Sequence, residues 1–181
     1  MRIAFEEIYD NYHQDLYRFI FYMVKDKQLT EDLVQEVYIK VLNSQGTFRG
    51  DSSKKTWLFS IARYTTIDYF RSQKRKRDRI LDFFNWTEKG ESIQDHLPLP
   101  EEMILKDEQL KIIYNSLDKC TVDQRSVLIL RFIESFSIRE TAEILKFSES
   151  KVKTTQHRGL KVLRSYLLDN DEGEEIKHET L

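Results

Sequence analysis

The sequence predicts an all-α protein of two small helical domains joined by a flexible linker, and three observations carry that prediction. Apolar residues recur every three or four positions over long stretches without Gly or Pro, as helices with one packed face require. Two capping boxes, Thr121 with Gln124 and Ser137 with Glu140, mark helix starts in the second half. Both prolines, Pro98 and Pro100, fall in one polar segment that also holds Gly90, Phe83, Phe84 and Trp86. With 181 residues, 40% of them hydrophobic, the chain has room for two cores. The expected division is residues 1–79, a linker over 80–102, a second domain over 103–168 and an acidic tail over 169–181.

From Phe5 to Val24 the residues Phe5, Ile8, Tyr9, Tyr12, Leu16, Phe19, Ile20 and Met23 repeat at helical spacing. The polar run KDKQLT ends that helix, and Thr30 is placed to cap the next. There Leu33, Val34, Val37, Tyr38, Val41 and Leu42 form the buried stripe, while Asp32, Gln35, Glu36 and Lys40 lie opposite. Residues 43–53, with Gly46 and Gly50, read as a loop. The third helix, 56–79, turns Leu58, Ile61, Ala62, Thr65 and Tyr69 inward and Trp57, Arg63 and Tyr64 elsewhere. After the linker, Met103, Leu105, Leu110, Ile113, Tyr114 and Leu117 predict another helix. The first capping box then opens the SVLILRF segment, apolar nearly all round. The second opens SIRETAEIL, with Ile138, Thr141, Ala142 and Leu145 packed. Lys146 and Phe147 make a tight turn, and Ser148 caps a last helix on which Val152, Thr155, Gly159, Leu160 and Leu163 share a side. Gly159 in that row predicts close approach of a neighbouring helix.

Several function classes are disfavoured. No apolar run approaches the roughly 20 residues of a membrane span, and MRIAFEEIYD carries acids where a secretion signal carries cations, so a cytoplasmic chain without membrane insertion is expected. The single cysteine, Cys120, excludes an internal disulfide and a multi-cysteine metal site. His13, His96, His157 and His178 lack metal-ligand spacing, and the five glycines form no phosphate-binding loop. Neither cofactor, metal nor catalytic group is expected.

Charge is segregated. The total is −2, yet residues 63–79 hold seven Lys or Arg against two Asp, and cations gather again over 146–164. From Asp169 onward six Asp or Glu face one Lys. Such a distribution favours nucleic-acid binding at selected surfaces over uniform attraction. The tail reads as solubilising, with competition for the basic faces as the alternative. Rings interleaved with cations in the third helix suit unpaired strands, since bases stack on rings while Lys and Arg follow phosphates. The plainer alternative is an amphipathic helix with a solvated basic end. A short helix, tight turn and basic helix together make a helix-turn-helix, whose outward side carries Ser150, Lys151, Lys153, Thr154, His157, Arg158 and Lys161. Those groups can enter a major groove, where Arg and Lys reach guanine edges and Thr a thymine methyl; a solvated helix in a four-helix unit is the alternative.

Three stretches, EDLVQEVYIKVL at 31–42, TWLFSIARYTTIDYFRSQKR at 56–75 and DQRSVLILRFIESFSIRETAEILKFSESKVKTTQHRGLKVLR at 123–164, together resemble the extracytoplasmic-function sigma factors of the sigma-70 family, leaning to the Bacillus sigma-X type. The resemblance covers nearly the whole chain except the tail and implies a sigma-2 and a sigma-4 domain. It implies a factor that joins core RNA polymerase, directs it to a promoter and helps open the duplex. By similarity Asp32, Gln35 and Glu36 dock on the clamp helices of the beta-prime subunit, and the sigma-4 domain meets the beta flap. The loop at 48–56, with Lys54 and Lys55 available for phosphates, would capture a flipped base of single-stranded −10 DNA. Trp57 and Tyr64 would stack or separate strands, and Arg63, Arg71, Lys74 and Arg75 would follow the backbone. The family more often has Asn where Tyr64 stands, Gly at Lys146 and Ala at Gly159. The last helix would read the −35 element. An anti-sigma factor is the further partner implied. The competing expectation is a stand-alone helix-turn-helix regulator, binding operator DNA as a dimer.

Overall fold

The computed structural model describes residues 5–44, 48, 50–84 and 114–178, with side chains described at all of them except 79–84 and 169–178. Among these residues the chain forms helices and turns without strands. It divides into two compact units, Met1–Pro100 and Glu101–Leu181.

The first unit holds α1 (Phe5–Val24), α2 (Lys27–Ser44) and α3 (Lys54–Phe84), each packed on the other two. The far end of α1 is buried on almost every side, through Leu16, Phe19, Ile20, Phe21, Tyr22 and Met23. Tyr9, expected in the packed row, is exposed instead: it lies one residue beyond buried Ile8, about 100° round the helix, and leans on the His13 ring at 4.5 Å. Asp26, not Thr30, starts α2. Its carboxylate accepts from the Leu29 amide at 2.6 Å, so the helix begins three residues before Thr30, whose hydroxyl donates back to the Asp26 carbonyl. Leu42 is likewise exposed, one residue past buried Val41.

Ser53 sets the start of α3, since its hydroxyl oxygen accepts from the Thr56 amide at 3.0 Å. Lys54 and Lys55 therefore stand on the first helical turn rather than in a loop. The packed row is Leu58, Phe59, Ala62, Thr65 and Thr66, with Ile61 and Tyr69 only half-buried. Phe59 meets Phe19 at 5.4 Å between ring centroids. The two threonines fit an apolar interior because their hydroxyls donate to the Ile61 and Ala62 carbonyls, at 3.0 and 2.9 Å. The helix continues through Phe84, five residues past the expected end at 79, because neither Gly nor Pro interrupts it there. Linker residues beyond 84, including Trp86, and the expected helix from Met103 as far as residue 113 lie outside the described residues.

In the second unit a helical end at 114–116 leads into a 3₁₀ turn, Leu117–Lys119. Next come α4 (Val122–Leu128), which runs on as a π turn over Ile129–Ile133, then α5 (Ile138–Leu145) and α6 (Glu149–His178). Both capping boxes are formed in full. Lys146 takes a left-handed conformation at φ 56° to end α5, and Ser148 caps α6 by accepting from the Lys151 amide at 3.1 Å. Val127, Ile129, Leu130, Ile144 and Val152 fill the core. Gly159 faces α4 so closely that a Cβ there would lie 3.0 Å from Leu128 Cδ1, which is the close approach its place in the row predicts. Leu160 was expected on this side but is exposed, because the packed row runs Val152, Gly159, Val162, Leu163, Tyr166. Finally, α6 carries its helical backbone ten residues into the stretch expected as a separate tail.

Candidate nucleic-acid interface

Three surfaces gather the expected site residues. On α2, burial of Leu33, Val34, Val37 and Tyr38 turns Asp32, Gln35 and Glu36 to solvent. At positions i, i+3 and i+4 these share one patch. Asp32 accepts from the Gln28 amide at 3.3 Å, and Glu36 pairs with Lys40 at 2.6 Å. The patch has an apolar continuation that the sequence reading missed: Ile39 and Leu42 are 58% and 51% exposed. The signal was present in the spacing, since Gln35, Ile39 and Leu42 stand at i, i+4 and i+7.

On α3, Trp57, Tyr64, Arg71 and Arg75 recur at seven, seven and four residues and so share one side over about 27 Å of helix. Arg63 and Lys74 flank this side. Tyr64 is 58% exposed, whereas Trp57 is half-buried, with its ring edge-on to Phe48 at 5.4 Å. Between these two rings and the end of α2 lies a groove of about 450 Å³, lined by Lys40, Asn43, Ser44, Trp57, Ser60, Ile61 and Tyr64. Two aromatic rings, one isoleucine and four polar side chains give it the makeup of a site for a flat, partly polar ring such as a nucleobase.

The two lysines at the start of α3 are engaged elsewhere. Lys54 pairs with Glu7 at 2.5 Å and Lys55 with Asp15 at 2.8 Å, both on α1. Burial pushes the Asp15 carboxyl up, but the opposing pull of Lys55 and Arg18 is greater and holds it below the usual carboxylate value. These cations clamp α3 onto α1 in the free chain.

On the second unit, α5, its turn and α6 form the helix-turn-helix. Ser150, Lys151, Lys153, Thr154, His157, Arg158 and Lys161 are all exposed on α6. Lys151 sits over the Phe147 ring at 3.4 Å and 3.7 Å from Asp123, and the Thr154 hydroxyl donates to the Ser150 carbonyl. Arg131, unremarked in the sequence reading, fixes the angle of α6. Its Nε donates to Gln156 Oε1 at 3.1 Å, and its Nη1 donates to the Phe136 carbonyl just before α5. A further groove of about 540 Å³ flanks α6, with Lys119, Arg158 and Lys161 around Val162 and Tyr166. Among the described residues no group of His, Cys, Asp and Glu is arranged to hold a metal ion.

The pattern described as Sigma-70 region 2 matches residues 8–76, and that described as Sigma-70, region 4 matches residues 110–163. The ECF RNA polymerase sigma factor SigX of Bacillus subtilis is 59% identical over 92% of this chain and 85% of its own. The chain belongs to the extracytoplasmic-function sigma factors of the sigma-70 family. The RNA polymerase sigma factor YlaC of the same organism is 33% identical, over 97% of this chain and 98% of its own. Among solved structures, the sigma factor RpoE in complex with the anti-sigma factor NepR, from Bartonella quintana, aligns at a TM-score of 0.68 and 25% identity. That alignment covers 90% of this chain and 96% of RpoE. CnrH, solved with the cytosolic domain of CnrY, shares the fold at a TM-score of 0.65 and 20% identity, over 92% and 88% of the two chains. In this sigma factor, the α2 patch and the α3 face therefore lie within the region 2 match, and the α6 face within the region 4 match.

Proposed function

We infer that this sigma factor joins core RNA polymerase, brings it to −35 and −10 promoter elements, and promotes strand opening. It does so by binding alone, with no chemistry of its own, in the cytoplasm beside the nucleoid. In this reading Asp32, Gln35 and Glu36, extended by Ile39 and Leu42, form the docking patch for the clamp helices of the beta-prime subunit, and the second unit meets the beta flap. Trp57 and Tyr64 take unpaired −10 bases while Arg63, Arg71, Lys74 and Arg75 follow the strand. Lys54 and Lys55 join them only after leaving Glu7 and Asp15. The exposed side of α6, from Ser150 to Lys161, reads the −35 element. RpoE and CnrH were each solved with a partner, an anti-sigma factor in the case of RpoE, and a partner of that kind is proposed here too.

The observation that carries this reading is the presence of two unlike nucleic-acid surfaces in one chain. The ring-walled groove beside the α3 cations suits an unpaired strand, and α6 suits a duplex. A stand-alone operator-binding regulator needs only the second. The test is permanganate reactivity of unpaired thymines in a promoter complex formed with core polymerase. A Trp57→Ala, Tyr64→Ala double variant should still place polymerase on the duplex but lose reactivity near the −10 position. Wild-type reactivity in that variant would remove the groove from the opening step.

A further inference from the structure

Lys40 occupies the edge between the docking patch on α2 and the groove on α3. Its ammonium donates to Glu36 Oε1 at 2.6 Å and to the Thr65 hydroxyl oxygen at 3.0 Å, and it stands 5.3 Å from the centroid of the Tyr64 ring. The two anchors differ in kind. Thr65 is buried, and its own proton is committed to the Ile61 carbonyl, so its oxygen is a fixed acceptor that aims Lys40 at the groove. Glu36 is half-exposed on the same helix one turn away, and an exposed pair of this type is held only weakly. One anchor is therefore buried and the other open to exchange with solvent or a partner. A phosphate is the ligand that matches, because Lys40 lines the same groove as Trp57 and Tyr64 and its ammonium stands 5.3 Å from the Tyr64 ring, within reach of the phosphate of a nucleotide stacked there.

We propose that Lys40 is a phosphate-binding residue of the α3 groove, and that Glu36 occupies its charge in the free chain. When Glu36 is taken up by a docking partner, Lys40 keeps its Thr65 anchor and is left with an unspent cation beside Tyr64. Docking at α2 and grip on the unpaired strand are then coupled through one side chain. A single-stranded ligand gains from docking, and docking gains equally from the ligand. The proposal rests on the assignment of the groove to unpaired DNA.

The test uses the full chain without polymerase and a fluorescent single-stranded oligonucleotide of mixed sequence, since the contact tested is to phosphate. Glu36→Gln removes the competing charge without removing the helix-forming side chain. It should tighten oligonucleotide binding and steepen the slope of log affinity against log salt by about 0.7, the value for one added phosphate contact on a single strand. The gain should shrink by a factor of about 2.6 between about 50 and about 200 mM salt. Adding Lys40→Met to Glu36→Gln should abolish both changes. An unchanged slope in Glu36→Gln would overturn the proposal, as would a gain that survives Lys40→Met, since it would then come from lost acidity alone. Tyr64→Ala in the same assay separates the two levels of the argument. If it leaves oligonucleotide binding intact, the groove assignment fails and this proposal with it. If it weakens binding while the Glu36 slope stays flat, only Lys40 is wrong.

Discussion

Gly159 offers a test of how tightly α6 is seated on α4. An alanine Cβ there would stand 3.0 Å from Leu128 Cδ1, 3.2 Å from Leu128 Cγ and 3.4 Å from Gln124 Cβ. Replacing a mid-helix Gly by Ala stabilises a helix by up to about 1 kcal/mol, whereas forcing a methyl into a packed core costs about 1 to 3 kcal/mol. Leu128 is buried, so Gly159→Ala should lose on balance, by about 0 to 2 kcal/mol. Leu128→Ala alone should cost about 2 to 5 kcal/mol by leaving a cavity. Combined, the new methyl enters the space that the leucine vacates, and the double variant should be more stable than the sum of the two losses by about 1 kcal/mol or more. Urea unfolding of all four proteins, followed by the helical signal, measures that coupling. Losses that add within about 0.5 kcal/mol would refute the close seating of α6 on α4.

Three further outcomes follow from single observations. Lys146→Gly should stabilise the second unit by about 1 kcal/mol in thermal melting, because the left-handed turn penalises any side chain there. Ile39→Ser with Leu42→Ser should leave the melting curve within about 0.5 kcal/mol per site, since both are largely exposed, yet weaken core-polymerase binding at least tenfold in a fluorescence titration. Asp15 titrates below its ordinary 3.8 in the folded chain, so its stabilising contribution is present above that value and lost as pH falls through the lower folded one; Asp15→Asn should therefore lower stability at neutral pH and flatten the acid limb of a stability–pH curve.

The two capping boxes of the second unit were legible because their signals are local, whereas the start of α2 was misplaced at Thr30 and the 3₁₀ and π turns left no mark in the spacing. The Thr121–Gln124 and Ser137–Glu140 boxes depend only on residues three apart, and the tight turn at Lys146 and Phe147 was read from the two helices it joins, its left-handed φ at Lys146 being added by the structure. Errors arose where a neighbour decides. Tyr9, Leu42 and Leu160 are apolar and helically spaced, yet each sits about 100° past a packed residue, and only the placement of the facing helix shows which of the two is covered. Thr66 and Phe59 were missed for the opposite reason. Each stands one residue past a position already counted, Thr65 and Leu58, so the three-and-four count passes over it although the structure buries both. The pairings of Lys54 with Glu7 and of Arg131 with Gln156 span 47 and 25 residues, distances over which sequence spacing carries no information.

The length of α6 changes what its acidic end can do. Thirty residues of helix make a rod of about 45 Å, with Lys151, Lys153, Arg158, Lys161 and Arg164 along its first half. Between Asp169 and His178 the sequence holds five Asp or Glu against one Lys. From Arg158 to Glu172 is about 21 Å along the helix axis, more than twice a Debye length of about 8 Å, so salt largely screens the far acidic positions from the cations of the first turns, while Arg164, only five residues or about 7.5 Å from Asp169, lies within that length. If α6 takes the duplex as proposed, the phosphates would attract its cationic half and repel its acidic end, a couple that acts before any base is touched. On that reading a cation-first approach would be favoured by charge, and the reverse sense disfavoured by it.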